Sequence, residues 1–161
     1  MIFSTTPTNA LYVSRKDVNN PLASYSKHGF VLDGAEWPSA EHYFQAMLFD
    51  DPQMREAIRR APHPKRAGKL ARQHRREMRK DWKSVRQVLM TRAVYTKCRR
   101  HPEVAAALRA TGERQIIESS QFYYYWGCGR DGRGENVFGK VLTDVRTKLR
   151  SEEGGDRFPG N

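Results

Sequence analysis

A chain of 161 residues with a formal charge of +11 and two cysteines is read most simply as one domain, long enough to close its own core. It holds no run of about 18 apolar residues to span a membrane, and its first residues, MIFSTTPTNALYVSRKD, lack the basic flank and apolar stretch of a secretory signal. Cys98 and Cys128 have neither metal-ligand spacing nor a disulfide framework, which fits reduced thiols in a cytoplasmic protein; no metal site and no cofactor are expected.

The positive charge is concentrated. Residues 59–100 hold 16 Lys and Arg against Glu77 and Asp81, a net of +14, whereas the rest of the chain nets −3. Such a stretch attracts phosphate, whether on a nucleotide, a sugar phosphate or a nucleic acid. The plainer reading is a solvated basic face.

In chain order, residues 1–29 are mixed polar, with a turn at Asn19-Asn20-Pro21. Phe30-Val31-Leu32, Asp33-Gly34 and Glu36-Trp37 read as a short strand and a tight turn. Pro38-Ser39 opens a helix through WPSAEHYFQAMLF, with Ser39 as its N-cap. A second short helix runs from Asp51 or Pro52 to Arg60, and residues 65–79 form a basic helix. Between Asp81, placed to cap it, and Arg99, an amphipathic helix repeats Trp82, Val85, Leu89, Ala93 and Thr96 at helical steps. Pro102 to Ala110 is a further helix stopped by Thr111-Gly112, and Gln115 to Glu118 a short strand. Residues 127–135, GCGRDGRGE, are a glycine-rich loop before a last helix from about Asn136 to Arg150. The domain spans 1–150, and 151–161 is a polar, loose tail.

Two constellations carry chemistry. On the opening helix Glu41, Gln45 and Leu48 share one stripe, with His42 about a quarter turn away. Glu41 lies in the first turn, where the helix dipole favours an ionised carboxylate that can accept a proton from water or stabilise a cation. The alternatives are a helix-start acid for Glu41 and a packed core histidine for His42. The second constellation is FYYYWGCGRDGRGEN, residues 122–136. Its aromatics, Tyr123 and Trp126 among them, offer flat surfaces for a base. The loop behind them brings backbone N–H groups and Arg130 or Arg133 toward an anion, and Asn136 opens a helix whose dipole would add to theirs. It is neither a Walker A loop nor a dinucleotide fingerprint. An ordinary aromatic core segment followed by a surface loop is the alternative.

DGAEWPSAEHYFQA, DWKSVRQVLM, the ATG ahead of IIES, and WGCGRDGRGENVFGKVLTDVR occur in an order and spacing that resemble the NADAR, or YbiA-like, family, from about Phe30 to Leu149. The resemblance implies an α+β, predominantly α-helical, compact single-domain fold with a few short strands. It also implies cleavage of N-glycosidic bonds on ribosyl-phosphate or ADP-ribosyl compounds; members are linked to riboflavin-pathway intermediates and to removal of ADP-ribose from guanine. Glu41 then matches the family acid, and Trp126, Gly127, Asn136 and Gly139 match its glycine-loop segment. Three positions depart from the pattern: Leu48 for a lysine, Tyr123 for an aspartate, and Ala23-Ser24-Tyr25 for SNF. A lysine at 48 could attack a ring-opened ribose as a Schiff base; leucine cannot. The chain is left with water activated by Glu41, with another lysine such as Lys65 or Lys69, or with binding alone. As a glycosidase it would hold a phosphorylated ribosyl or ADP-ribosyl substrate, free or on a nucleic acid. Its alternatives are a catalytically impaired ADP-ribose or nucleotide-binding module and a nucleic-acid-binding protein.

Overall fold

The computed structural model describes residues 9–155. Its elements are β1 (Leu11–Val13), β2 (Phe30–Leu32), β3 (Ala35–Trp37), α1 (Ala40–Met47), α2 (Pro52–Arg59), α3 (Pro64–Gln73), a 3₁₀ turn (Arg75–Glu77), α4 (Trp82–Arg100), α5 (Pro102–Ala110), β4 (Ile116–Glu118) and α6 (Val137–Gly155). This is the expected mostly helical α+β fold with a few short strands.

Strands β2 and β3 pair antiparallel, Phe30 opposite Trp37, around Asp33 and Gly34. Both turn residues have positive φ, 52° and 79°, the twist-matching geometry for which Asp-Gly is chosen in two-residue hairpins. Strand β1 was not evident in the sequence. It pairs in parallel with β4, Leu11 opposite Ile116, and so joins the N-terminal segment to the end of the glycine-rich half.

Helix α1 is the centre of the molecule. Ser39 caps it, its Oγ accepting from the His42 N–H at 3.1 Å, and all of its residues except Gln45 are buried. Tyr43 packs edge-on against Trp37 and Phe30; Phe44 meets Trp126 in the same way. Around it the core is closed by Phe49, Ile58, Met90, Leu108, Ile116, Phe138 and Leu142. Side chains of this size each stabilise the fold by about 1.5–3 kcal/mol when fully buried.

Three expectations are corrected. The basic helix over 65–79 ends at Gln73 and continues as a 3₁₀ turn, because the Arg79 N–H is drawn onto the Leu48 carbonyl at the end of α1. Asp81 does not cap α4 with its side chain; the carboxylate is held by Arg79 at 2.6 and 3.1 Å. Helix α6 runs past Arg150 to Gly155, since Glu152 accepts from Tyr95 and pairs with Arg99, and Glu153 pairs with Arg109. The rest of the tail, 156–161, lies outside the described residues. Among the described residues no helix is long and apolar enough to cross a membrane.

Candidate active site

Glu41 enters the first turn of α1 with no solvent exposure. Its Oε1 accepts from Arg15 Nη1 at 2.6 Å and from Gln45 Nε2 at 2.8 Å, and its Oε2 from Ser24 Oγ at 2.6 Å. A carboxylate offers about four lone-pair positions, so one remains on Oε2. Burial alone would raise its pKa, but Arg15, the Ser24 hydroxyl and the Gln45 amide together outweigh burial and hold it below the usual carboxylate value. Arg15 answers in kind: burial would lower it, and Glu41 carries it above its ordinary value. At neutral pH the site holds a fixed, paired negative charge.

That charge floors a cavity of about 290 Å³. Tyr25, Phe44, Tyr123, Tyr125 and Trp126 give it aromatic lining. Cations lie among these rings: Lys16, Arg72, Arg75 and Arg86 line the cavity along with Arg15, and Glu41 is the only acid on it among the described residues. Arg72, Arg75 and Arg86 enter none of the ion pairs formed among the described residues. Arg86 lies on the face of Tyr125, 3.2 Å from its centre, and its buried Nε has no hydrogen-bond partner among the described residues. Lys16 donates to Tyr123 Oη at 3.0 Å and sits over its ring; chiefly through that bond it lowers the phenol pKa.

The structure sorts the sequence candidates. Glu41, Gln45, Tyr123 and Trp126 come together on this cavity, with Leu48 beside them. His42 does not join them. Its Nε2 donates to the Ala61 carbonyl at 3.0 Å and its Nδ1 accepts from Ser39 Oγ at 2.7 Å, a tautomer set by those two partners. Burial lowers its pKa and keeps the ring neutral.

Arg130 and Asn136 line a different cavity, of about 510 Å³, beside the glycine-rich loop. Asn136 has φ 52°, and its amide spans β4, accepting from Glu118 N and donating to the Ile116 carbonyl. It is a latch between loop and strand. Gly127 is buried where an added Cβ would stand 2.5 Å from Glu118 Oε1, so no larger residue fits between loop and carboxylate. Lys65 is exposed on α3 and Lys69 lines a third cavity, so neither takes the place of a lysine at 48. Arg76 does not line the Glu41 cavity, and Arg79 is spent on Asp81.

Nothing in the sequence singled out Arg15, which lies 26 positions from Glu41. It is carried in just after β1, and Glu118 Oε2 accepts its backbone N–H at 2.6 Å. Glu118, also fully buried, bonds the Ser120 N–H with its other oxygen. Its part is to fix the strand end and the loop around the site.

Residues 4–150 match the NADAR domain, and the chain belongs to that family. The match begins nearer the N-terminus than Phe30 and takes in Arg15. The chain is 34% identical over 142 residues to the N-glycosidase YbiA of Escherichia coli, covering 88% of this chain and 89% of that one. It is 33% identical to an N-glycosidase of Nostoc punctiforme over 81% of this chain and 85% of the other. A riboflavin biosynthesis protein of Vibrio vulnificus is 35% identical over 87% of this chain, which spans 38% of that longer protein. The NMR structure of E. coli YbiA superposes with a TM-score of 0.83 at 31% identity, over 97% of this chain and 94% of that one.

Proposed function

We propose that the chain hydrolyses the N-glycosidic bond of a ribosyl phosphate, with Glu41 as the charged group at the reacting carbon. The observation that carries this is the presence, in one cavity, of a buried acid that is ionised at neutral pH and of Arg72, Arg75 and Arg86, which form no ion pair among the described residues. The arginines, Arg86 with its unspent buried Nε above all, suit a phosphate. Trp126 and Tyr123 supply faces on which the base stacks. The ribose then lies between them, over Glu41.

As the C1′–N bond breaks, its electron pair leaves with the base nitrogen and C1′ takes on positive charge. Glu41 stabilises that charge from a position fixed before the reaction starts. Water adds to C1′, and its proton ends on the departing base. A carboxylate held this acidic is a weak base, so its main contribution is electrostatic, with full proton abstraction secondary.

A ribosyl-phosphate-binding module without turnover is the second reading, and Leu48 favours it: the side chain lines the same cavity where an amine would otherwise reach the sugar. Incubation with a panel of ribosyl-phosphate and ADP-ribosyl N-glycosides, followed by mass spectrometry, separates the two. Release of free base from a phosphorylated riboside supports the glycosidase; saturable binding with every compound intact supports the module.

A further inference from the structure

Lys97, in the middle of α4, has no solvent exposure. Its ammonium donates to the Pro21 carbonyl at 2.7 Å, the Ala23 carbonyl at 2.8 Å and Ser26 Oγ at 3.0 Å. All three acceptors are neutral, and no carboxylate bears on it. A buried cation without a counter-charge is costly, and an apolar side chain of the same length would fill the space more cheaply. What the cation does instead is visible in its partners: all lie on one irregular segment, 21–26, that has no helix or strand to shape it.

That segment carries Ser24 between two of the clamped positions. Ser24 Oγ donates to Glu41 Oε2, and the Ser24 carbonyl accepts the Glu41 N–H at 3.1 Å. The next residue, Tyr25, donates its N–H to the Arg15 carbonyl and lines the cavity. We propose that Lys97 is a positioning residue: its three N–H bonds set the 21–26 segment so that Ser24 holds the Glu41 carboxylate in place. It touches no substrate and acts through Ser24. For its effect on turnover the proposal rests on the glycosidase reading; for its effect on Glu41 it does not.

The ionisable groups around Lys97 are distinguishable by titration. His28 meets Ser26 Oγ at 2.9 Å and stacks edge-on with His101, and Glu103 lies 3.9 Å from His28 and 3.4 Å from His101. Burial, and after it Lys97, keeps His28 below its ordinary value. Cys98 is raised to about 11 and Tyr25 to about 12 by burial. Lys97 itself is lowered by burial to about 8. Deprotonated, it has two N–H bonds for three acceptors.

The test is NMR titration of the Glu41 side-chain carboxyl in the full chain, without substrate. Ser24→Ala should raise the Glu41 midpoint. Lys97→Met should raise it likewise, add nothing in a Ser24→Ala background, and be largely reversed in Lys97→Arg. In the parent protein the Ser24 and Tyr25 amides should shift near pH 8, a measurement that stands even if Lys97→Met does not fold. With a cleaved substrate in hand, Lys97→Met should lower kcat about 10–100-fold, the scale of small misplacements, and leave KM nearly unchanged. A parental Glu41 midpoint in a folded Lys97→Met protein would make Lys97 a packing residue only and overturn the inference; so would amides of Ser24 and Tyr25 that stay still while the Lys97 ammonium itself titrates. If the parent cleaves no glycoside, the glycosidase reading falls, and the two titrations still decide the role of Lys97.

Discussion

Glu41→Gln is the substitution with the most to teach, because the carboxylate does two things at once. Glutamine is nearly isosteric and keeps an oxygen for Ser24, but it leaves the buried Arg15 guanidinium without its counter-charge. Breaking a buried pair by removing one partner costs about 3–5 kcal/mol. The retained oxygen puts this case at the lower end, about 3 kcal/mol, and at about 2–4 °C per kcal/mol for a domain near this size the melting temperature falls by about 6–12 °C. Urea unfolding of the parent, Glu41→Gln, Arg15→Met and the double variant measures it. The double variant, with both charges gone, should recover part of the loss.

The pH dependence has a definite sign. The folded pKa of Glu41 is depressed, so its contribution is full above the unfolded value of about 4.3 and disappears as pH falls through the folded value. The gap between parent and variant should therefore be constant near neutrality and close in acid. A Glu41→Gln protein as stable as the parent at pH 7 would refute the paired-charge description, and with it the electrostatic role. On a cleaved substrate the same variant should lose about 10²–10⁴-fold in kcat.

Substituting Arg72, Arg75 and Arg86 together with methionine should raise KM with little change in kcat, the pattern of lost uniform binding; steady-state kinetics showing the reverse would move these residues from holding phosphate to the chemistry. Trp126 fluorescence should respond to ribose 5-phosphate or a phosphorylated riboside, and a response that persists in Trp126→Phe would assign the signal to Trp82 or Trp37. Leu48→Lys places an amine beside Glu41 among several cations, which favour its neutral form; borohydride with ribose 5-phosphate should then trap an adduct at position 48 that the parent does not form, and mass spectrometry of the peptides checks it. Gly127→Ala forces a methyl against Glu118 and should cost about 1–3 kcal/mol of stability, as overpacking does, measured by urea unfolding.

The helices were legible in the sequence because their signals are local. Ser39 ahead of α1, Pro102 and Thr111-Gly112 around α5, and the apolar repeat of α4 each act through neighbours a turn away. The Asp-Gly hairpin was legible for the same reason. Glu41, Gln45 and Trp126 stood out as polar or aromatic residues in an unusual local setting. The tertiary structure alone decided their partners. Strand β1 is three residues long and exists only because β4, more than a hundred positions away, supplies its hydrogen bonds. Asp81 looked like a cap and found a better partner in Arg79. His42 sat beside Glu41 in sequence and turned to Ala61, whereas Arg15, unmarked by any motif, became the counter-charge. Local propensity sets which residues form a helix, but a buried charge takes whichever donor the folded chain delivers, and that delivery is a property of long-range packing. Lys97 reads in sequence as one of the 16 Lys and Arg of residues 59–100, and only the fold buries it under the segment that holds Ser24 on Glu41.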